Sequence, residues 1–105
     1  MSKRDRRELA NRLVVLVMHV LKWRYQPERR RLGWQRTMIE QRRRLTQLLR
    51  DTPSLRSQLP ALVADVYPTA RAKAADETGL SVETFPLTCP WTAEQLLVAD
   101  FWPKG

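Results

Sequence analysis

The sequence predicts an all-α fold: a small helical bundle of three longer helices, the third kinked by prolines, plus a short C-terminal helix. Apolar residues recur at spacings of three and four through three segments, which is the period of helices that bury one side. No segment alternates between apolar and polar residues as a half-buried strand does. With 105 residues and 43% hydrophobic residues, the chain is predicted to be a single helical domain spanning residues 1–105.

The first helix is predicted from Arg6 to about Arg24. Its apolar side chains share one side because they follow one another at helical spacing: Leu9, Leu13, Leu16, Val20 and Trp23. Val14, Met18 and Leu21 widen that side and leave only a narrow polar strip. A helix this apolar is typical of a central core helix, and an oligomer interface is the alternative.

The second helix is predicted from Pro27 to Arg50, because proline suits the first turn of a helix. Its apolar side is formed by Trp34, Met38, Leu45, Leu48 and Leu49. Gly33 lies within this segment and disfavours helix by about 1 kcal/mol relative to alanine. We therefore expect the early part of the helix to start late or to bend.

The third helix is predicted from Pro53 to Ala74, with Thr52 as its capping residue. Pro60 and Pro68 are expected to kink this helix or to split it into shorter pieces. Gly79 is expected to end it in a left-handed conformation, with Leu80 folding back onto the last turn.

Residues 81–91 contain two prolines and no helical period, which predicts an ordered loop held by Phe85 and Trp91. Thr92 and Gln95 have the spacing of a capping box, in which each residue satisfies the backbone N–H of the other. A short helix is therefore predicted from this point to about Ala99.

The positive charge lies in the first half of the chain. Residues 1–50 hold 15 Lys and Arg against 4 Asp and Glu, whereas residues 51–105 hold 4 against 7. Such asymmetry fits a basic face for nucleic acid, an acidic-on-basic match within the chain, or an acidic partner.

An arginine row is the best candidate site for an anion or a partner. Arg29, Arg36, Arg43 and Arg50 recur every seven residues, nearly two helical turns, on the side opposite to the apolar stripe. Guanidinium groups pair well with phosphate or carboxylate, but a solvated basic helix face is also common. Trp34 lies on the apolar side, so it is not placed to stack on nucleic-acid bases.

Signatures of catalysis are lacking in the sequence. His19 and Cys89 are the only histidine and the only cysteine, the carboxylates are scattered, and three glycines cannot form a phosphate-binding loop. We predict no enzyme activity, no metal and no cofactor. One cysteine forms no intramolecular disulfide, and no apolar run approaches the about 20 residues of a membrane span, so a cytoplasmic protein without membrane association is expected.

Several spaced motifs resemble the bacterial family known as domain of unknown function 29. They are "LKWRYQPERR" at 21–30 with Trp34, "EQRR" at 40–43, "DTPSL" at 51–55, "ETGL" at 77–80, "FPLTCP" at 85–90 and "EQLLVADF" at 94–101. The resemblance covers about residues 7–103 and implies a compact α-helical protein with no established activity. Members of the family are expected to carry an additional N-terminal segment ahead of the point where this sequence begins.

The motif "YQPER" lies at a predicted corner between helices, and "ETG" lies at another helix end. We expect a structural polar cluster of Tyr25, Glu28, Arg29 and Glu77, in which Arg29 pairs with Glu77 or Glu28. The alternative is a small functional pocket around Tyr25, Gln26 and Arg29.

Two functions fit these features of the sequence. The first is an interaction module without catalytic activity that binds another protein, an acidic one, or a second copy of itself. The alternative is a binder of nucleic acid without sequence preference that uses the arginine row on phosphates.

Overall fold

The structure is a computed structural model and describes residues 3–104. Its helices are α1 (Lys3–Tyr25), α2 (Leu32–Asp51), α3 (Leu59–Thr78) and α4 (Ala93–Leu97). Short 3-10 helices at Pro27–Arg29, Pro53–Gln58 and Val82–Thr84 connect them. Residues 3–104 contain no strand, so the predicted all-α fold of three longer helices and one short C-terminal helix is confirmed.

The central helix is α1, which packs against both α2 and α3. Its predicted apolar side is covered within the chain, since Leu9, Leu13, Leu16 and Val20 are fully buried. The core-helix interpretation is therefore confirmed for these residues. Trp23 differs, because it is only half-buried and lies against Trp102 with 5.2 Å between ring centroids.

The second helix starts at Leu32, and the prediction that it starts at Pro27 was wrong. Pro27 instead begins a separate 3-10 turn, and the backbone is extended at Arg31, with φ −131° and ψ 153°. The late start that Gly33 indicated is confirmed. Met38, Leu45 and Leu49 are buried against α1, as their spacing predicted.

The structure divides the predicted third helix once, just before Pro60, whereas α3 continues unbroken past Pro68. Residues Pro53–Gln58 form a 3-10 helix, and α3 follows directly from Leu59. Pro60 lies in the first turn of α3, where a missing N–H breaks no helical hydrogen bond, and Pro68 lies inside the helix. The side chain of Thr52 forms no capping hydrogen bond, so its predicted capping role was wrong.

The end of α3 has the predicted conformation, and the predicted loop contains a short 3-10 helix at Val82–Thr84. Gly79 has φ 75° in the left-handed region, and Leu80 packs against the core. Phe85 is 1% exposed and holds the loop. The hydroxyl of Tyr67 donates a hydrogen bond of 2.6 Å to the carbonyl of Pro86.

The C-terminal segment closes one end of the bundle. Thr92 and Gln95 form the predicted capping box, and α4 ends at Leu97, two residues earlier than expected. Residues 98–104 contain no helix, and the rings of Trp91 and Phe101 meet edge to face. Within residues 3–104, every helix is too short or too polar to cross a bilayer.

Candidate functional site

The structure divides the arginine row into two parts. Arg36, Arg43 and Arg50 are exposed on α2, whereas Arg29 lies on the 3-10 turn that precedes it. The extended backbone at Arg31 interrupts the helical phase between the two parts. The candidate face on α2 therefore carries three of the four predicted arginines.

Two large apolar side chains share this side of α2 with the arginines. Leu32 is 59% exposed and Ile39 is 52% exposed. Side chains separated by three, four or seven residues lie on one side of a helix. We call the following set the α2 face: Leu32, Arg36, Ile39, Arg43 and Arg50. It is an exposed surface that combines positive charge with apolar area.

Only one arginine of the α2 face is held in place by an acidic side chain. The guanidinium of Arg43 donates to both carboxylate oxygens of Glu40, at 3.0 and 2.9 Å, and Arg44 donates to one of them at 2.7 Å. Hydrogen bonds from Arg43 and Arg44 lower the pKa of Glu40 to about 2. Within the described range 3–104, the side chains of Arg36 and Arg50 form no hydrogen bond and no ion pair with another residue. Both guanidinium groups are therefore available to an external anion.

A groove runs beside the α2 face, between α2 and the chain from the end of α4 onward. Its volume is about 330 Å³. It is lined by Ile39, Arg42, Arg43, Thr46, Gln47, Arg50, Leu97 and Ala99. The groove shares Ile39, Arg43 and Arg50 with the α2 face, so apolar and cationic groups line one depression.

Arg42 fixes the wall of this groove, a role that was not predicted from the sequence. Arg42 is 3% exposed and donates to the carbonyls of Leu96 at 2.7 Å and Phe101 at 2.8 Å. Its guanidinium also lies 5.4 Å from the ring centroid of Trp102. The sequence does contain a signal for its burial, because Arg42 lies four residues after Met38 and three before Leu45, on the buried side of α2.

The predicted pairing of Arg29 with Glu77 or Glu28 was wrong. Glu77 accepts from Lys22, with 2.7 Å between Nζ and Oε1, and this hydrogen bond lowers the pKa of Glu77. Lys22 is 6% exposed on α1, so its ammonium requires a nearby carboxylate more than the exposed Arg29 does. Sequence could not reveal this pair because its members are 55 residues apart.

The other members of that predicted cluster separate in the structure. The ring of Tyr25 packs edge to face on Phe85, with centroids 5.5 Å apart, and Glu28 is exposed on the 3-10 turn. Arg29 and Glu77 do share a polar cavity of about 210 Å³. Its lining is Lys22, Gln26, Arg29, Arg31, Trp34, Glu77 and Thr78. We call this cavity the corner pocket.

The single histidine lies on α1, and the single cysteine lies in the loop before α4. Nδ1 of His19 is 2.8 Å from the carbonyl of Val15, and burial lowers the pKa of the imidazole. Burial raises the pKa of the Cys89 thiol, which disfavours the reactive thiolate. Among residues 3–104, no three His, Cys, Asp or Glu side chains are grouped so that they could hold a metal ion.

An apolar cavity of about 560 Å³ lies between α3 and the chain from the loop to the start of α4. Its lining includes Val63, Tyr67, Leu87, Cys89 and Trp91. Burial raises the pKa of Tyr67 to about 12, so its hydroxyl remains protonated and bonded to the loop.

The fold and these surfaces define a small all-α domain with a basic, partly apolar helix face. A family model described as Domain of unknown function DUF29 matches residues 1–102. The chain belongs to this family, as its motifs indicated. Neither a curated protein nor a solved structure matches the chain.

Proposed function

We propose that the domain is a protein-interaction module, without catalytic activity of its own, whose α2 face binds an acidic amphipathic helix of a partner protein. The observation that carries the proposal is the alternation of exposed Leu32 and Ile39 with Arg36, Arg43 and Arg50 along one side of α2. An amphipathic helix presents apolar side chains to such a surface, and acidic residues beside them pair with the arginines.

The groove beside α2 supports this mode of binding. Ile39 and Leu97 offer apolar contact within a depression of about 330 Å³, and Arg43 and Arg50 lie at its edge. An apolar side chain of the partner would be buried there while a neighbouring carboxylate pairs with a guanidinium group. Charge at the rim of an interface contributes mostly to orientation and association rate, and buried apolar contacts contribute most of the affinity.

An acidic partner is favoured over a second copy of the chain. Two α2 faces brought together would place like charges against each other, which costs free energy. On α1, the other surface considered for self-association, Leu9, Leu13, Leu16 and Val20 are buried within the chain. The single thiol, Cys89, is in keeping with a reducing compartment such as the cytoplasm.

Binding of nucleic acid is the second candidate. Arg36, Arg43 and Arg50 extend over roughly 21 Å of helix, which would contact several phosphates. Against this, Leu32 and Ile39 lie among the arginines and offer nothing to a phosphate backbone. No tryptophan belongs to the α2 face to stack on bases.

The test uses a labelled designed peptide, a helix with leucines along one side and glutamates flanking them. A second peptide of equal composition has its leucines scattered around the helix. Fluorescence anisotropy at physiological salt is expected to give at least about tenfold tighter binding of the amphipathic peptide, because only it buries apolar side chains on the α2 face. Equal binding of the two peptides would contradict the proposal.

Charge-reversal variants locate the surface. The double variant Arg36→Glu and Arg50→Glu is expected to weaken peptide binding at least about tenfold. The matched control is Arg7→Glu and Lys73→Glu, which makes the same change in net charge at exposed positions of α1 and α3. If peptide affinity fell by the same factor in both double variants, binding would depend on net charge alone. The α2 face would then have no specific role.

A further inference from the structure

We propose that the corner pocket binds a phosphate monoester group. This pocket lies where the end of α1, the start of α2 and the end of α3 meet, and the proposal does not depend on the function of the α2 face. Three features converge on it: a set of cationic side chains, a buried ammonium group and the N-terminus of a long helix.

The charges that line the pocket are mostly positive. Lys22, Arg29 and Arg31 are cationic and Glu77 is the one carboxylate, which leaves a net charge of +2. Phosphate monoesters carry a charge of about −1.5 to −2 near neutral pH. A phosphate group in the pocket would therefore be close to electrically balanced.

The ammonium of Lys22 lies in the pocket wall in a fixed position. Its Nζ is 2.7 Å from Oε1 of Glu77 and 4.7 Å from the ring centroid of Trp34. An ammonium group has three N–H donors, and within residues 3–104 this one forms a hydrogen bond only to Glu77. The group thus keeps donor capacity for a further oxygen in the pocket.

The N-terminus of α2 lies at the same place without a cap. The N-cap residue, Arg31, forms no side-chain capping hydrogen bond, and the first turn of α2 contains no acidic residue. The first intrahelical bonds run from Trp34 and Gln35 to the carbonyl of Arg31, so the N–H groups of Leu32 and Gly33 are left for another acceptor. Arg31 and Trp34, which flank these two residues in the sequence, both line the corner pocket.

Arg29 and Arg31 lie beside the uncapped N-terminus of α2 and line the corner pocket. The N-terminus of a helix carries partial positive charge, which disfavours cationic side chains there. Neither arginine forms an ion pair with any residue of the described range 3–104. A bound phosphate would accept hydrogen bonds from the guanidinium groups and from the free backbone N–H groups together.

The test is a titration with inorganic phosphate at constant ionic strength, followed by two-dimensional ¹H–¹⁵N NMR spectra. We expect the largest shifts at the backbone amides of Leu32 and Gly33 and at the indole N–H of Trp34. Shifts spread along α2 to Arg43 and Arg50, or no shift at tens of millimolar phosphate, would overturn the proposal.

Neutral variants separate specific binding from general attraction. Arg29→Gln with Arg31→Gln is expected to weaken phosphate binding at least about tenfold, the effect of losing charge-assisted hydrogen bonds. Arg36→Gln with Arg50→Gln removes the same charge from the α2 face and is expected to change the affinity less than about twofold. Equal losses in the two variants would overturn the proposal.

Thermal unfolding distinguishes a binding role from a structural one. Without phosphate, the Arg29→Gln, Arg31→Gln variant is expected to unfold at the same temperature as the natural sequence or a higher one, because repulsion from the helix N-terminus is removed. A lower unfolding temperature would assign these arginines to folding and contradict the proposal. Repeating the titration with glycerol phosphate and with a phosphoserine peptide then distinguishes a small ligand from a modified protein.

Discussion

At the scale of single residues, Arg42 links α2 to the C-terminal segment. Its three contacting carbonyls, those of Leu96, Ala99 and Phe101, lie more than fifty residues further along the chain. Carbonyl groups at and beyond the end of a helix have no N–H partner within that helix, and side-chain hydrogen bonds of this kind satisfy them. The wall of the groove beside the α2 face therefore depends on one charged side chain.

Replacement of Arg42 by leucine is expected to lower the free energy of unfolding by about 2–3 kcal/mol, because the carbonyls lose their donors. Urea denaturation measures the change. Arg44→Leu, a change at an exposed position of the same helix, is the control and is expected to stay within about 0.5 kcal/mol. Similar losses in the two variants would show that Arg42 does not hold the segment.

His19 gives the domain a predicted dependence on pH. Burial lowers the pKa of His19 in the folded chain below its ordinary value of 6.5. The unfolded chain therefore binds a proton first as the pH falls, and the folded state loses stability below about pH 6.5. Thermal unfolding between pH 7.5 and pH 5 should show this loss, and His19→Gln should reduce it. An unchanged pH profile in His19→Gln would contradict the assignment.

At the scale of elements, most of the helices could be predicted from local sequence. The stripes of α1 and α2, the left-handed Gly79 and the capping box of Thr92 and Gln95 depend on residues within a turn or two of each other. The predicted start of α2 at Pro27 was wrong because a proline suits the first turn of a 3-10 helix as well as that of an α-helix. The predicted capping role of Thr52 was wrong because its backbone conformation, φ −134° and ψ 77°, leaves its hydroxyl without the capping hydrogen bond.

Replacement of Gly33 or Gly79 by alanine is expected to change the stability of the fold in opposite directions. Gly79 has φ 75°, so Gly79→Ala is expected to cost about 1 kcal/mol. Gly33 lies in α2 with open space around it, so Gly33→Ala is expected to gain about 0.5–1 kcal/mol. Thermal unfolding of both variants tests the pair, and shifts in the same direction would contradict it.

At the scale of the whole molecule, charge and apolar contact are arranged by long-range packing. The period of the arginines could be predicted from sequence, and it correctly placed three of them on α2. The same spacing places Leu32 and Ile39 beside these arginines, but it could not show their exposure or the groove. Both depend on how α2 meets the C-terminal segment. The Lys22–Glu77 pair and the corner pocket likewise arise only where α1 and α3 pack together.

The distribution of these features assigns different surfaces to different tasks. The core is formed around α1, and the C-terminal segment is held by Arg42 and by the contact of Trp23 with Trp102. The groove beside the α2 face and the corner pocket have no lining residue in common. A variant of one surface is therefore expected to leave the other unchanged.

The most direct test of the central claim is the effect of Ile39→Ser on binding of the acidic amphipathic peptide, with Val82→Ser as an exposed apolar control outside α2. We predict that Ile39→Ser weakens binding of the peptide at least about fivefold, because apolar contact is lost, and that Val82→Ser leaves the binding affinity unchanged. Anisotropy with a labelled oligonucleotide completes the measurement. The account would be contradicted if Ile39→Ser left peptide affinity unchanged while the oligonucleotide bound more tightly than the peptide. If Arg36→Glu also abolished binding of the oligonucleotide, nucleic-acid binding would be established instead of protein interaction.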